Sequence, residues 1–154
     1  MEYVWFSLGF FLIHLAAYAV AGALNQNLLT RDLYGGEQAL FSPFFRDMED
    51  RAEAQRVARL MVPAQLARAV AMSVVLYPIL GALGELPYGL RFAFLTGLMF
   101  VYADFASATP FSNNIEGLVY LRRRFVERSV FWRIQSEAVV YSLLFGGVAA
   151  WLLF

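Results

Sequence analysis

The sequence predicts an all-α, polytopic membrane protein with four transmembrane helices. Hydrophobic residues make up 60% of the 154 residues and aromatic residues 17%, which is more apolar than an average soluble domain. The apolar residues are concentrated in four runs, each reaching the roughly 20 residues that a helix needs to cross a bilayer. The arginines lie mainly in two segments between these runs. We therefore expect residues 1–154 to form a single four-helix transmembrane domain.

The four predicted spans cover residues 3–24, 60–83, 86–109 and 134–154. Their ionisable residues, apart from tyrosines, are His14 in the first span, Arg68 in the second, Arg91 and Asp104 in the third, and Glu137 in the fourth. The first run begins with MEYVWF, which lacks the basic residues of a secretory signal peptide. We therefore interpret this run as a span rather than as a cleaved leader.

The distribution of arginine predicts the topology. Ten of the twelve basic residues lie in two segments. Residues 25–59 contain Arg31, Arg46, Arg51, Arg56 and Arg59, and residues 110–133 contain Arg122, Arg123, Arg124, Arg128 and Arg133. With four spans both segments fall on one side, and the positive-inside rule makes that side cytoplasmic. We expect a protein of the bacterial inner membrane with both termini outside the cytoplasm.

Amphipathic helices are expected within both cytoplasmic segments. In the first, Ser42 followed by Pro43 resembles an N-cap with proline at the first helical position, which predicts a helix over residues 44–60. In the second, Asn113 and Glu116 have the spacing of a capping box, and a helix is expected to follow. The basic faces of these helices suit anionic lipid headgroups, so the bilayer itself is an expected partner.

Three charged side chains are predicted to share one layer near the cytoplasmic face. Arg68 lies about one turn inside span two, Asp104 slightly more than one turn before the end of span three, and Glu137 about one turn inside span four. Charged groups within a membrane cost about 2.5–3.5 kcal/mol each on insertion scales, so they tend to turn inward and pair. We expect Asp104 to contact Arg68 or Glu137, and this layer to form a polar pocket.

Further ligand-binding candidates surround this layer. Gln65, Asn113 and Asn114 lie close to it, and His14 lies near the middle of span one, on the face that carries Ser7, Ala21 and Asn25. Simpler interpretations stay open. Arg68 can instead extend to the headgroups, the charged layer can be a static clasp between helices, and His14 can be a hydrogen-bonded packing residue.

Small residues predict where the helices approach closely. The rows with a spacing of four residues are Ser142, Gly146 and Ala150 in span four, Ala17 and Ala21 in span one, and Ala93 and Gly97 in span three. Helices of one chain need such contacts in any case, so the rows carry little information about oligomerisation.

Composition excludes several classes of function. The chain has no cysteine and a single histidine, which argues against thiol redox chemistry, iron–sulfur clusters and a bis-histidine haem within one chain. The formal net charge of zero gives no field that would attract nucleic acid. No known catalytic motif is present. We therefore assign no catalytic or metal-binding residue, and the cofactor is unknown.

Three classes of function remain. The favoured one is a transport-like, probable homo-oligomer whose cytoplasm-facing pocket handles a small polar ligand or ion. In it, Arg68 would hold an anionic group while Asp104 or Glu137 exchanges protons. The second is an accessory or assembly subunit that docks with other membrane subunits. The third is a membrane enzyme that uses Asp104 and Glu137 as an acid–base pair on a lipid-like substrate, although the lack of a motif favours a non-enzymatic role.

Overall fold

The computed structural model describes residues 2–35, 38–48 and 50–154. These residues form helices joined by turns and loops, with no β-strand among them, and the predicted all-α class is confirmed. Two helical stretches, Glu2–Tyr34 and Arg51–Glu85, are long and apolar enough to cross a membrane. The arrangement of four spans stays a prediction. Met1, Gly36, Glu37 and Glu49 belong to predicted segments but lie outside the described residues.

The first helical arm is a continuous stretch of 33 residues, Glu2–Tyr34. It is built from α1 (Glu2–Asn25), a π-helical turn (Gln26–Thr30) and α2 (Arg31–Tyr34). One face of α1 is buried and carries Ser7, His14, Ala21 and Asn25. Their spacing of seven and four residues places them on one side of a helix, so α1 directs its polar groups toward its neighbours.

The second helical arm begins later than predicted. It contains α3 (Arg51–Leu76), a 3₁₀ turn (Tyr77–Ile79) and α4 (Leu80–Glu85). The Asp50 carboxylate caps α3 by accepting hydrogen bonds from the N–H groups of Ala52 at 2.7 Å and Glu53 at 3.3 Å. The predicted cap at Ser42 was wrong, because Asp50 satisfies the free N–H groups at the start of the helix, and residues 38–45 form turns.

The third and fourth arms follow the remaining two apolar runs. The third consists of α5 (Tyr88–Gly97) continued by a π-helical stretch (Leu98–Phe105). The fourth is α7 (Arg128–Leu152), which starts six residues before the predicted span. Between them lie α6 (Ile115–Tyr120) and a 3₁₀ turn (Arg123–Phe125). The second amphipathic helix is therefore much shorter than expected, and its cap is Asn114, whose side chain accepts from the Gly117 N–H at 2.8 Å.

The arms pack as a bundle in which α1 and α7 are neighbours. α3 packs on α1, and α5 packs on α7. A continuous apolar core joins the four arms and includes Phe10, Leu95, Met99 and Phe145, each at most 1% exposed. This core lies along the middle of the bundle and excludes solvent from it.

The close approach of α5 and α7 depends on Gly146. A Cβ atom at this position would lie 2.1 Å from the Thr96 Oγ1 and 2.9 Å from the Thr96 backbone nitrogen. Ser142 and Ala150, the other members of the predicted row, are buried as well. The row at Ala93 and Gly97 behaves differently, because Ala93 is exposed and a Cβ at Gly97 would meet no atom within 4 Å.

The two arginine-rich segments meet at one end of the bundle, which we call the arginine-rich end. Phe41 from the first segment stacks on Phe111 and Phe125 from the second, at centroid distances of 5.7 and 5.8 Å. Arg133 also forms an ion pair with Asp32. The two segments therefore lie on the same side of the bundle, as the arginine counts predicted.

Candidate functional site

A cavity of about 170 Å³ lies between the four arms near the arginine-rich end. Since a water molecule occupies about 30 Å³ of the liquid, the space suits several waters or a small polar solute. Three alanines from different arms face it, and their short side chains leave it open: Ala21, Ala103 and Ala138. Its polar and charged lining consists of Tyr18, Tyr34, Arg68, Asp104, Asn113, Glu137 and Tyr141.

The three charged residues predicted to share a layer all line this cavity. They come from different arms, with Arg68 on α3, Asp104 on the π-helical stretch and Glu137 on α7. The expected direct contacts are not formed, however: neither carboxylate is within ion-pair distance of Arg68 among the described residues.

Each carboxylate is instead held by an asparagine side chain. The Asn113 Nδ2 donates to the Asp104 Oδ2 at 2.7 Å, and Asn113 itself is only 2% exposed. The Asn25 Nδ2 donates to the Glu137 Oε2 at 3.1 Å, while the Asn25 Oδ1 accepts from the Ser136 hydroxyl at 2.8 Å. These bonds fix the two carboxylates without neutralising them.

Arg68 has no partner among the described residues. No hydrogen bond or ion pair joins its guanidinium to them, although its side chain lines the cavity. The residue is exposed in the isolated chain, as the interpretation in which Arg68 extends to the headgroups requires. A guanidinium offers five N–H donors in a planar fork that matches a carboxylate. The cavity thus holds one guanidinium without a partner among the described residues and two carboxyl groups that are already hydrogen-bonded.

His14 does not line the cavity. It connects three arms on the side of the cavity away from the arginine-rich end. Its Nδ1 lies 2.6 Å from the Tyr141 hydroxyl and its Nε2 lies 2.8 Å from the Gln65 Oε1. The amide oxygen can only accept, so Nε2 carries a proton and donates to Gln65, and a neutral ring accepts from Tyr141 at Nδ1. His14 is completely buried. These hydrogen bonds fit the interpretation of His14 as a packing residue. Gln65, its partner on α3, contributes to the same packing contact.

The remaining site candidates separate into two roles. Asn113 faces the cavity. Asn114 lies outside its lining and caps α6, and its Nδ2 donates to the Thr109 carbonyl at 2.7 Å.

Sequence reasoning did not identify Tyr34 and Tyr141 as cavity residues. The position of Tyr141 could have been found, because it lies one helical turn after Glu137 and so shares its face.

The apolar core bounds the cavity on the side away from the arginine-rich end. There Met99 is 1% exposed, and Phe10 and Phe145 are fully buried with their ring centroids 4.8 Å apart. The His14–Tyr141 bond lies between these rings and the cavity. In this conformation the apolar core closes the path toward the chain termini.

Comparison of the chain with protein-family models, with curated proteins and with solved structures finds no match. Its function must therefore be inferred from the geometry of the cavity.

Proposed function

We propose that this chain is a four-span protein of a bacterial inner membrane whose cytoplasm-facing cavity binds a small carboxylate-bearing ligand and takes up a proton on binding. Arg68 holds the ligand's carboxylate, and Asp104 or Glu137 receives the proton. The observation that carries the proposal is the Arg68 guanidinium, which has no partner among the described residues and shares a cavity with two carboxylates already hydrogen-bonded to asparagines.

The four-span topology is supported by the lengths and packing of the arms. α7 contains 25 residues, and the third arm extends from residue 88 to residue 105. α7 packs on the first of the two helical stretches that meet the length and hydropathy of a membrane span, and the third arm packs on α7. The packing of both arginine-rich segments at one end agrees with the positive-inside orientation.

The charges of the cavity explain why a proton accompanies the ligand. With both acids ionised, Arg68, Asp104 and Glu137 sum to one negative charge. A bound carboxylate adds a second negative charge within the same small volume. Like charges in one site force one of the groups to keep a proton. Binding therefore strengthens as the pH falls.

Because the apolar core closes one side of the cavity, the proposed ligand binds there without an open path across the bundle. A transport-like cycle needs a second conformation, or a second copy of the chain, in which the cavity opens away from the arginine-rich end. Arms packed around one polar site, with access from one side, fit one state of such a cycle. The accessory-subunit and enzyme alternatives predict no proton-coupled binding to the isolated protein.

Binding of butyrate to the purified protein in phosphatidylcholine nanodiscs tests the proposal. Butyrate is expected to raise the unfolding midpoint in a saturable way, and a dye in weak buffer is expected to report proton uptake. Arg68→Gln should weaken binding at least about tenfold, because a hydrogen bond to a charged group contributes about 1.5–3 kcal/mol. Arg59→Gln on the same helix is the control, since Arg59 is exposed and does not line the cavity.

Substituting each carboxylate in turn distinguishes which of the two acids takes up the proton. Asp104→Asn and Glu137→Gln should each reduce proton uptake, because each removes one of the two negative charges, and the reduction should be larger at the residue that receives the proton. Equal butyrate binding by the Arg68→Gln and Arg59→Gln proteins would remove Arg68 from the site and refute the proposal. Saturable binding without any proton uptake would contradict the charge argument.

A further inference from the structure

A second, larger space joins the polar cavity from the side. It has a volume of about 800 Å³ and lies between α1, the first part of α3 and the loop over residues 44–48. Its walls are mainly apolar and include Leu15, Ala19, Ala23, Phe44, Phe45, Met48, Val57 and Met61. We call this space the α1–α3 groove. Most of its lining is thus suited to a hydrocarbon rather than to a polar solute.

The groove and the cavity adjoin at three shared residues. Tyr18, Tyr34 and Glu137 line both spaces. Gly22 also lines the groove at this junction, where a Cβ atom would lie 3.7 Å from the Glu137 Oε1. Since Gly22 has no side chain, α1 adds no bulk at this point beside the Glu137 carboxylate. The apolar groove therefore lies next to the polar cavity, as a ligand with a polar end and an apolar chain requires.

We propose that the ligand of the cavity is the anion of a long-chain carboxylic acid, with its carboxylate at Arg68 and its chain in the α1–α3 groove. This inference rests on the function proposed above and specifies its ligand class. The groove residues of the first arm include Leu15 to Gln26, which corresponds to roughly 16 Å along the helix at 1.5 Å per residue.

Charge complementarity distinguishes this ligand from a neutral lipid chain. Arg68 is the unpaired cation at the polar end of the combined space. The other arginine along it, Arg46 at the mouth of the groove, is engaged with Glu53 at 3.5 Å. A chain without an anionic end gains only the apolar contacts, which the surrounding bilayer also supplies. Selective binding therefore depends on the carboxylate at Arg68.

Photo-crosslinking with hexadecanoate that carries a diazirine at its chain end tests the inference in the same phosphatidylcholine nanodiscs. Peptide mapping should place the label on groove residues such as Val57 and Met61, and butyrate in excess should reduce it. Arg68→Gln should remove most of this labelling. Ala19→Phe, which fills the groove, should do the same, whereas Ala16→Phe should not, because Ala16 is an exposed residue of the same helix outside the groove lining.

The outcomes separate the ligand class from the function. If butyrate binding depends on Arg68 but the hexadecanoate label lies elsewhere, or Ala19→Phe has no more effect than Ala16→Phe, the chain-binding inference is wrong and the proposed function stands. Butyrate binding that does not depend on Arg68 would overturn the proposed function itself. Groove labelling that is equally strong with Arg68→Gln, or with the corresponding hexadecanol probe, would show ordinary lipid occupancy and refute the inference.

Discussion

Replacing Gly146 by alanine should weaken the contact that holds α5 against α7. The added Cβ would lie 2.1 Å from the Thr96 Oγ1, which can rotate away, and 2.9 Å from the Thr96 backbone nitrogen, which cannot. Ordinary contacts begin near 3.4 Å, so α5 must move by about half an ångström. Overpacking of this kind costs about 1–3 kcal/mol.

The neighbouring Gly147 provides a matched control. A Cβ there would meet the Phe92 ring and the Tyr88 hydroxyl at 3.9 Å, which is ordinary van der Waals contact. Both substitutions gain the same helix propensity, about 1 kcal/mol for glycine to alanine. The difference between the Gly146→Ala and Gly147→Ala proteins therefore isolates the packing cost, and we expect the first to be less stable by about 1–3 kcal/mol.

Equilibrium unfolding in mixed micelles with a rising fraction of dodecyl sulfate, followed by circular dichroism, measures this difference. The same shift should also weaken butyrate binding, because the third arm carries Asp104 and α7 carries Glu137. Equal stability of the two variants, or a more stable Gly146→Ala protein, would refute the reasoning that Gly146 sets the distance between the helices.

Two further substitutions test the polar contacts of α1 and α3 in the same unfolding assay. His14→Leu leaves the Tyr141 and Gln65 partners unsatisfied and should destabilise by about 1–3 kcal/mol; a change below about 0.5 kcal/mol, the level of an ordinary surface substitution, would show that the bonds contribute nothing. Asp50→Ala removes the cap of α3 and should cost about 1 kcal/mol, with Asp50→Asn as the control that keeps an accepting oxygen. Equal losses for both Asp50 variants would contradict the capping role.

The sequence predicted the helical arms well because their signal is strong. Long apolar runs specify helices wherever the backbone must satisfy its own hydrogen bonds. The ends of α1 fell within one residue of the predicted span, whereas α7 starts six residues before its predicted span. The loops were predicted poorly. Ser42 with Pro43 matched a common helix start, but α3 begins after Asp50, whose carboxylate caps it. The short α6 depends on Asn114 and Gly117, where a Cβ would lie 1.6 Å from the Phe111 carbonyl oxygen.

For the cavity, the charged lining could be predicted and the pairing could not. Counting residues from the span ends predicts one level for Arg68, Asp104 and Glu137, because the rise per residue is fixed, and all three line the cavity. Which groups touch depends on helix rotation and on partners from other segments. Asn113 reaches Asp104 only because the chain turns back after Phe105, and Asn25 reaches Glu137 across the α1–α7 contact. Neither hydrogen bond corresponds to a periodic pattern that can be recognised in the sequence.

The contacts of α3 with the other arms suggest a movement of α3 that would change access to the cavity. α3 packs chiefly on α1, whereas α7 contacts both α1 and α5. Within the described residues, the polar links between α3 and other arms are the Gln65–His14 bond and, further from the cavity, the Ser73–Ser7 bond at 2.7 Å. A small rotation of α3 about these links would move Arg68 relative to Asp104 and Glu137 while the α1–α7 pair stays in place. Under the proposed function a bound carboxylate would pair with Arg68 and favour one position of α3, and the same movement would narrow or widen the α1–α3 groove. Ligand binding and opening of the groove are therefore expected to be coupled through this one helix.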